Sequence, residues 1–469
     1  MRGRGCGGYD ARNDTMSQLE RADIQGMLLS AYGHLPWSAN VLLRIDDAAR
    51  ARSWLSGLAG TITPATGKHH RGGTNLALTY AGLGKLGGNA PQGAFGPAFI
   101  DGMASARRAR ILNDSGASAP ECWQWGAGPN AVDLLLMVFA PRHDALDAAL
   151  GEHRAAFESG GLREIATLAA QRHSDGKEHF GFSDGIAQPA IRGEDRSEPG
   201  RRRTNSSNDV AAGEFILGYT NEYGVASDVP QLPGAPDFGR NGSYLVVRQL
   251  EQDVAKFWRF VDAATGGNGG ADARAREQLA AKFLGRWPSG APLVKAPLGD
   301  DPQLGGDNDF GFAADRDGLL CPVGAHIRRA NPRDGFAHDD PQQSVRRSNR
   351  HRILRRGRPY GTRIADPLVG DGEARGLVFI CLNSDIERQF EFVQQTWLNN
   401  TTFCGLTNEV DPLVGSASDN GVMTIPRDPV RERVKGIERF VTTRGGAYFF
   451  LPGLRALRYL AQLEPAMQP

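Results

Sequence analysis

VDLLLMVFAPRHDALDAALGEHRAAFESGGLREIATLAAQ, Val132 to Gln171, carries the pattern that decides the fold. The apolar run Val132–Ala140 reads as a buried strand. His143–Phe157 mixes alanines and charges in a helical pattern, and Leu162–Gln171 reads as a further strand. Upstream, Val41–Ile45 (VLLRI) is a short strand. Asp46–Leu58 then sets Ala48, Ala51, Leu55 and Leu58 at helical spacing, and Asn75–Tyr80 (NLALTY) alternates as a strand does. Strand, helix, strand, strand, helix, strand is the ferredoxin-like order.

The second half repeats that order. Ser243–Gln249 (SYLVVRQ) reads as a strand, Asp253–Ala264 as a helix, and Ala271–Arg286 as a second helical stretch. Leu377–Leu382 (LVFICL) and Ala447–Leu451 (AYFFL) are strands; Ile386–Asn399 and Leu454–Leu463 are helices. The expected class is α+β, with two ferredoxin-like domains built on antiparallel sheets. Residues 1–15 form a tail, 16–195 the first domain and 213–469 the second. The polar segment Arg192–Ala212, with Arg201–Arg203, reads as an exposed boundary loop. Trp287–Ile364 shows little periodicity, and a loop that long within a compact domain is usually functional.

Composition narrows the classes. The chain has 469 residues, long enough to bury a sizeable core. Lys plus Arg is 54 against 53 for Asp plus Glu, so the chain is no globally basic nucleic-acid binder. No apolar run is long enough for a transmembrane helix. Gly (60) and Pro (27) are frequent, which predicts turn-rich loops. The 5 cysteines form no CxxC pair, which argues against a zinc ribbon and for a reducing compartment. Met1–Thr15 has charge but no apolar core, so a cytoplasmic location is expected and Met16 is an alternative start.

Several motifs carry chemistry or fail to. Gly82, Gly84 and Gly87 match GxGxxG, but Gly88 and Pro91 leave no room for the helix a dinucleotide site needs, so a glycine turn is expected. Arg346, Arg347, Arg350, Arg352, Arg355, Arg356 and Arg358 form a cluster that would suit phosphates or carboxylates, or simply a solvated face. RGGAYFF (Arg444–Phe450) only loosely echoes an RNA-stacking strand. His326, within CPVGAHIRR (Cys321–Arg329), offers a ring nitrogen to a metal. Asp184, in GFSDG (Gly181–Gly185), sits on a glycine-flanked turn able to aim a carboxylate into a cavity.

Taken together, four segments resemble the dye-decolourising peroxidases. HFGFSDGIAQP (His179–Pro189) is similar to the family's distal motif, CPVGAHIRRANPRD (Cys321–Asp334) to its proximal-histidine segment and RILRRGRPYG (Arg352–Gly361) to its distal-arginine strand. DIQGMLLSAYGHLP (Asp23–Pro36) is similar to its N-terminal opening. The wording is closest to the larger bacterial and fungal subgroup. The resemblance implies one haem b per chain, held mainly by the C-terminal domain. His326 would be the axial ligand, Asp184 the distal acid–base residue and Arg355 the distal arginine, with Arg356 the alternative. Arg333 would contact a haem propionate. Gly357 stands where another subgroup carries an asparagine, so a distal amide is lost. Glu391 and Asp385 are candidates to support the axial histidine, and Trp397, Tyr360 and Tyr448 to carry electrons to bulky reductants.

The implied substrates are hydrogen peroxide and small aromatic reductants such as dyes and phenols, with no membrane or nucleic-acid partner. The oligomeric state is open. A carboxylate base stays ionised where a histidine base is protonated, so activity at acidic pH is expected. The rival readings are a ferredoxin-like module gripping nucleic acid or an acidic partner through Arg346–Arg358, and a haem- or iron-handling protein.

Overall fold

The computed structural model describes residues 18–88, 93–194, 208–266, 272–336, 340–415 and 420–463. The expected tail, the alternative start at Met16 and Arg201–Arg203 lie outside these.

The first half contains β1 (Trp37–Ile45), α1 (Ala48–Ala59), β2 (Gly73–Leu78), β3 (Leu134–Ala140), α2 (His143–Ala155) and β4 (Leu162–Gln171). The second contains β5 (Ser243–Gln252), α3 (Val254–Ala264), α4 (Ala273–Leu284), a short helix α5 (His326–Ala330), β6 (Leu354–Arg355), β7 (Arg358–Tyr360), β8 (Gly376–Asn383), β9 (Val441–Leu451) and α6 (Leu454–Gln462). The strands join in the order β4-β1-β3-β2-β9-β5-β8-β6, with β7 also on β8. The first half is a four-strand antiparallel set and the second a set of five in which short β6 and β7 share one edge of β8; the two meet edge to edge through the ladder pair Leu78–Phe450.

Both faces of this sheet are covered, which explains the unbroken apolar run of β3. Leu134, Leu136 and Val138 pack on one face with Leu55, Leu58, Leu146 and Leu150 of α1 and α2. Leu135, Met137 and Phe139 pack on the other with Ile24, Met27 and Leu28 of the opening segment. Successive side chains alternate between faces, so a strand buried on both sides shows no polar alternation. α1 begins where the Asp47 side chain accepts from Arg50 N.

Three expectations need correction. The Gly82–Gly87 stretch is not a turn: Tyr80–Lys85 is a helix capped by Thr79, and Gly82 packs so closely on Asp133 O that a Cβ would lie 2.2 Å from it. The segment 287–364 is not structureless, since it holds α5, the helix Pro341–Asn349, β6 and β7. β6 and β7 supply the second strand of the second half, and two or three residues are too few to show a period. The predicted helix Ile386–Asn399 forms with π-type turns, Glu391 N bonding Ile386 O and Asn399 N bonding Gln394 O. The arginine cluster is dispersed: Arg346 and Arg347 are exposed, while Arg352 and Arg358 are buried. No helix among the described residues is long and apolar enough to cross a membrane.

Candidate active site

A cavity of about 300 Å³ opens between β5, β8, the π-type segment and the loops that carry the singled-out motifs. Its walls are largely apolar, with Leu250, Phe379, Phe390, Val393, Leu413 and Val441 among them. His326, Asp184 and Arg355 all line it.

His326 opens α5 just after the turn in which Ala325 N bonds Pro322 O. The segment is anchored by its two arginines. Arg328 pairs with Asp315, and fully buried Arg329 donates to the carbonyls of Trp397, Leu398, Asn400 and Glu409. His326 Nδ1 lies 2.9 Å from Asp411 Oδ2. An ionised carboxylate only accepts, so the proton sits on Nδ1 and the lone pair on Nε2. Asp411 is itself fixed, Oδ1 accepting from Leu413 N and Val414 N. Burial alone would make Asp411 a weaker acid, yet the His326 charge and hydrogen bond hold the carboxyl below its ordinary value. Burial likewise works against a charged His326, and the Asp411 carboxylate outweighs it and shifts the imidazole upward.

The support for His326 is therefore Asp411, and neither Glu391 nor Asp385. Glu391 faces away into an ion-pair group, bonded to Arg108 and to the Tyr448 hydroxyl. Asp385 caps the π-type segment by accepting from Arg388 N. Asp411 was not singled out because it is one acid among 53, and its partner lies 85 residues away.

Asp184 sits on the loop after β4. Gly181 and Gly185 there adopt φ of 96° and 81°, a region costly for other residues. Glu178 holds the loop by accepting from Phe180 N and Phe182 N. Asp184 Oδ1 accepts from Gly185 N and, at 3.0 Å, from Arg355 Nη1. Arg356 points elsewhere, donating to Met27 O and Leu28 O of the opening segment. That settles which arginine shares the cavity with His326. Gly357 is required by contact, since a Cβ would lie 2.6 Å from Val378 O.

Arg333 does not line this cavity. It donates to Asn308 O and Phe310 O, stacks over the Phe310 ring and borders an adjoining cavity of about 110 Å³ that shares Asn331 and Arg352 with the large one. Arg286 and Arg352 do line the large one, and among the described residues neither meets a carboxylate at ion-pair distance. Burial pulls each guanidinium down to about 10. Buried cations without anionic partners mark where a carboxylate-bearing ligand is missing from the charge balance. A flat apolar group with an iron and two carboxylates fits: an imidazole of fixed tautomer, apolar walls and two unmatched guanidiniums.

The aromatic candidates are interior residues. Trp397 and Tyr448 are buried, and Tyr360 is half-buried. Trp397 lies edge-on to His351, a cavity-lining residue, at 5.3 Å between ring centres.

Comparison with known proteins agrees with this geometry. The chain is 30% identical over 472 residues to a dye-decolorizing peroxidase of Auricularia auricula-judae, covering 94% of this chain and 87% of that one. It is 30% identical over 462 residues to a multifunctional dye peroxidase of Amycolatopsis sp., covering 90% and 91%. Among solved structures, an ancestral D-type dye decolorizing peroxidase superposes with a TM-score of 0.80 at 31% identity, covering 94% of this chain and 99% of that one. No family model matches the chain.

Proposed function

Since this chain belongs to the dye-decolourising peroxidase family, we propose that its cavity holds one haem b and that the enzyme uses hydrogen peroxide to oxidise dyes and phenols one electron at a time. The observation that carries the residue assignment is that His326 with its Asp411 and Asp184 with its Arg355 open into one apolar cavity. His326 Nε2 would bind the iron, and buried Arg333, Arg286 and Arg352, none paired with a carboxylate among the described residues, would be the guanidiniums available to the propionates.

The haem supplies an iron that accepts peroxide and stores the oxidising equivalents that reductants later remove. The chain's own residues handle protons and charge. Asp184 Oδ1 is already engaged by Arg355 and Gly185, so Oδ2 would be the oxygen that holds and moves the proton in peroxide activation. Arg355 faces the negative charge that grows as the O–O bond opens, and it cannot lose its own charge to do so. Asp411 keeps the Nδ1 proton in place, so His326 presents a lone pair and stays oriented. The apolar walls limit competing water.

Trp397, edge-on to His351, supports a route by which electrons reach the cavity from reductants too bulky to enter; half-buried Tyr360 is a second candidate. The strand sets share only one ladder pair, Leu78–Phe450, which supports a division into units 16–195 and 213–469. Free cysteines at 122, 321, 381 and 404 support a cytoplasmic setting. The dispersal of the arginine cluster supports a reading without a nucleic-acid partner.

The test is an absorbance spectrum of the haem-loaded protein before and after one equivalent of peroxide. A Soret band that shifts on peroxide addition is expected. A haem-loaded protein whose spectrum does not respond overturns the proposal.

A further inference from the structure

Behind one cavity wall lies a buried group that the chemistry above does not use. Phe390 lines the cavity, and its ring stands edge-on to Tyr448 at 6.4 Å between centres. Tyr448, in β9, is 2% exposed, and its hydroxyl donates to Glu391 Oε1 at 2.8 Å. Glu391 is 3% exposed, and its Oε2 accepts from Arg108 Nη1 at 2.9 Å. Arg108, fully buried, also binds Asp101 and Glu387. Arg248 and Asp114, paired with each other, line the cavity nearby and act electrostatically on the same phenol.

A buried phenol needs an acceptor, and a backbone carbonyl would serve. Here the acceptor is a carboxyl that burial pushes above its ordinary value, while the Tyr448 hydrogen bond and the buried Arg108 guanidinium pull it back toward the ionised form. That arrangement suits proton loss. A phenol that gives up an electron becomes a strong acid and must lose its proton at once, and in a dry interior only a base already in contact can take it. Arg108 favours the ionised Glu391 that such a base must be. Burial, and then the Glu391 charge, push the resting phenol well above its ordinary range, so it stays protonated until it is oxidised.

We infer that Tyr448 and Glu391 form an internal redox pair that holds one oxidising equivalent away from the haem site. The inference rests on the peroxidase reading. The step balances as follows. The Tyr448 O–H bond breaks, one electron passes to the peroxide-oxidised haem site, and the proton moves to Glu391 Oε1. This leaves a neutral phenoxyl radical beside a protonated carboxyl. Return of one electron from a reductant, with the same proton, restores the pair. Tyr448 touches no solvent, so it acts as a store and not as the contact point for dyes.

The experiment is rapid-freeze EPR of the haem-loaded enzyme after one equivalent of peroxide, with normal and ring-deuterated tyrosine, alongside visible spectra. A signal that narrows on tyrosine deuteration is expected in the wild type. Tyr448→Phe should lose that component while keeping the visible response to peroxide. Glu391→Gln, which can accept a hydrogen bond but not a proton, should lower its yield several-fold. Tyr448→Phe deletes one oxygen and leaves Glu391 on Arg108, so it carries the test even where Glu391→Gln folds poorly. A deuteration-sensitive signal of full size in Tyr448→Phe overturns the inference alone. A wild type whose visible spectrum ignores peroxide overturns this inference and the peroxidase reading together.

Discussion

The two halves share a strand order and differ in their connections, most of all between the first helix and the second strand. In the first, residues 60–72 link α1 directly to β2. In the second, residues 265–353 stand between α3 and β6, and they carry α4, α5, Arg286, His326 and Arg352. The first half closes its helices onto its sheet. The second props a cavity open between its sheet and the long connection, and the loop after β4 adds Asp184. One frame therefore serves as plain scaffold in one copy and as the site's back wall in the other. The chemistry lies in the connections.

That contrast breaks if substitutions in the long connection affect only stability. His326→Ala should have the largest effect, abolishing stable haem retention. Gel filtration of the haem-reconstituted protein, read at the Soret band, checks it, with a far-UV spectrum like the wild type expected. Next, Asp184→Asn and Arg355→Leu should keep the Soret band. Each should lower the rate of reaction with peroxide by about 10²–10⁴-fold, the usual range for a lost proton shuttle or charge stabiliser. Stopped-flow absorbance measures this, and rates within threefold of the wild type would remove both residues from the mechanism. The first half predicts the reverse. Leu136 is wholly buried in β3, and Leu136→Ala should cost about 2–5 kcal/mol in urea unfolding while leaving the peroxide response of the folded fraction intact.

The same contrast explains what was legible in the sequence. The strands of the main sheet longer than three residues were readable at least in part, β4 to the residue, because burial writes itself as apolar runs or alternation; the hairpin Gly421–Ile425/Glu432–Ile437 was not. β6 and β7 were not, since Leu354–Arg355 and Arg358–Tyr360 are brief and arginine-rich. His326, Asp184 and Arg355 were legible through their motifs, whose glycines and prolines constrain the backbone locally. Asp411 was not, because it meets His326 only through the fold. The setting of Arg333 was hidden for the same reason: its segment motif is visible in sequence, but the Asn308 and Phe310 carbonyls that hold its guanidinium are not.

The smallest effect falls on the loop that joins the halves. His179 Nε2 donates to Tyr360 O at 2.7 Å, tying the Asp184 loop to β7. Its Nδ1 is buried without a hydrogen-bond partner. Burial, opposed by the Tyr360 hydrogen bond and helped by the nearby His173, Arg375 and Arg363 charges, pulls the imidazole down from 6.5 to about 4. A histidine whose folded value is depressed stabilises the fold fully above its unfolded value. That contribution is lost as pH falls from about 6.5 through about 4, because the unfolded chain takes up the proton first. The loss is at most about 3 kcal/mol over the window. Urea unfolding of the wild type at several pH values between 7 and 4 should show this slope. His179→Gln, which keeps a donor for Tyr360 O but cannot titrate, should flatten it. An unchanged slope in the variant would assign the acid sensitivity to other groups. If the slope does flatten, the tie between the Asp184 loop and the arginine-bearing segment sets a lower pH limit on an enzyme whose distal base favours acid.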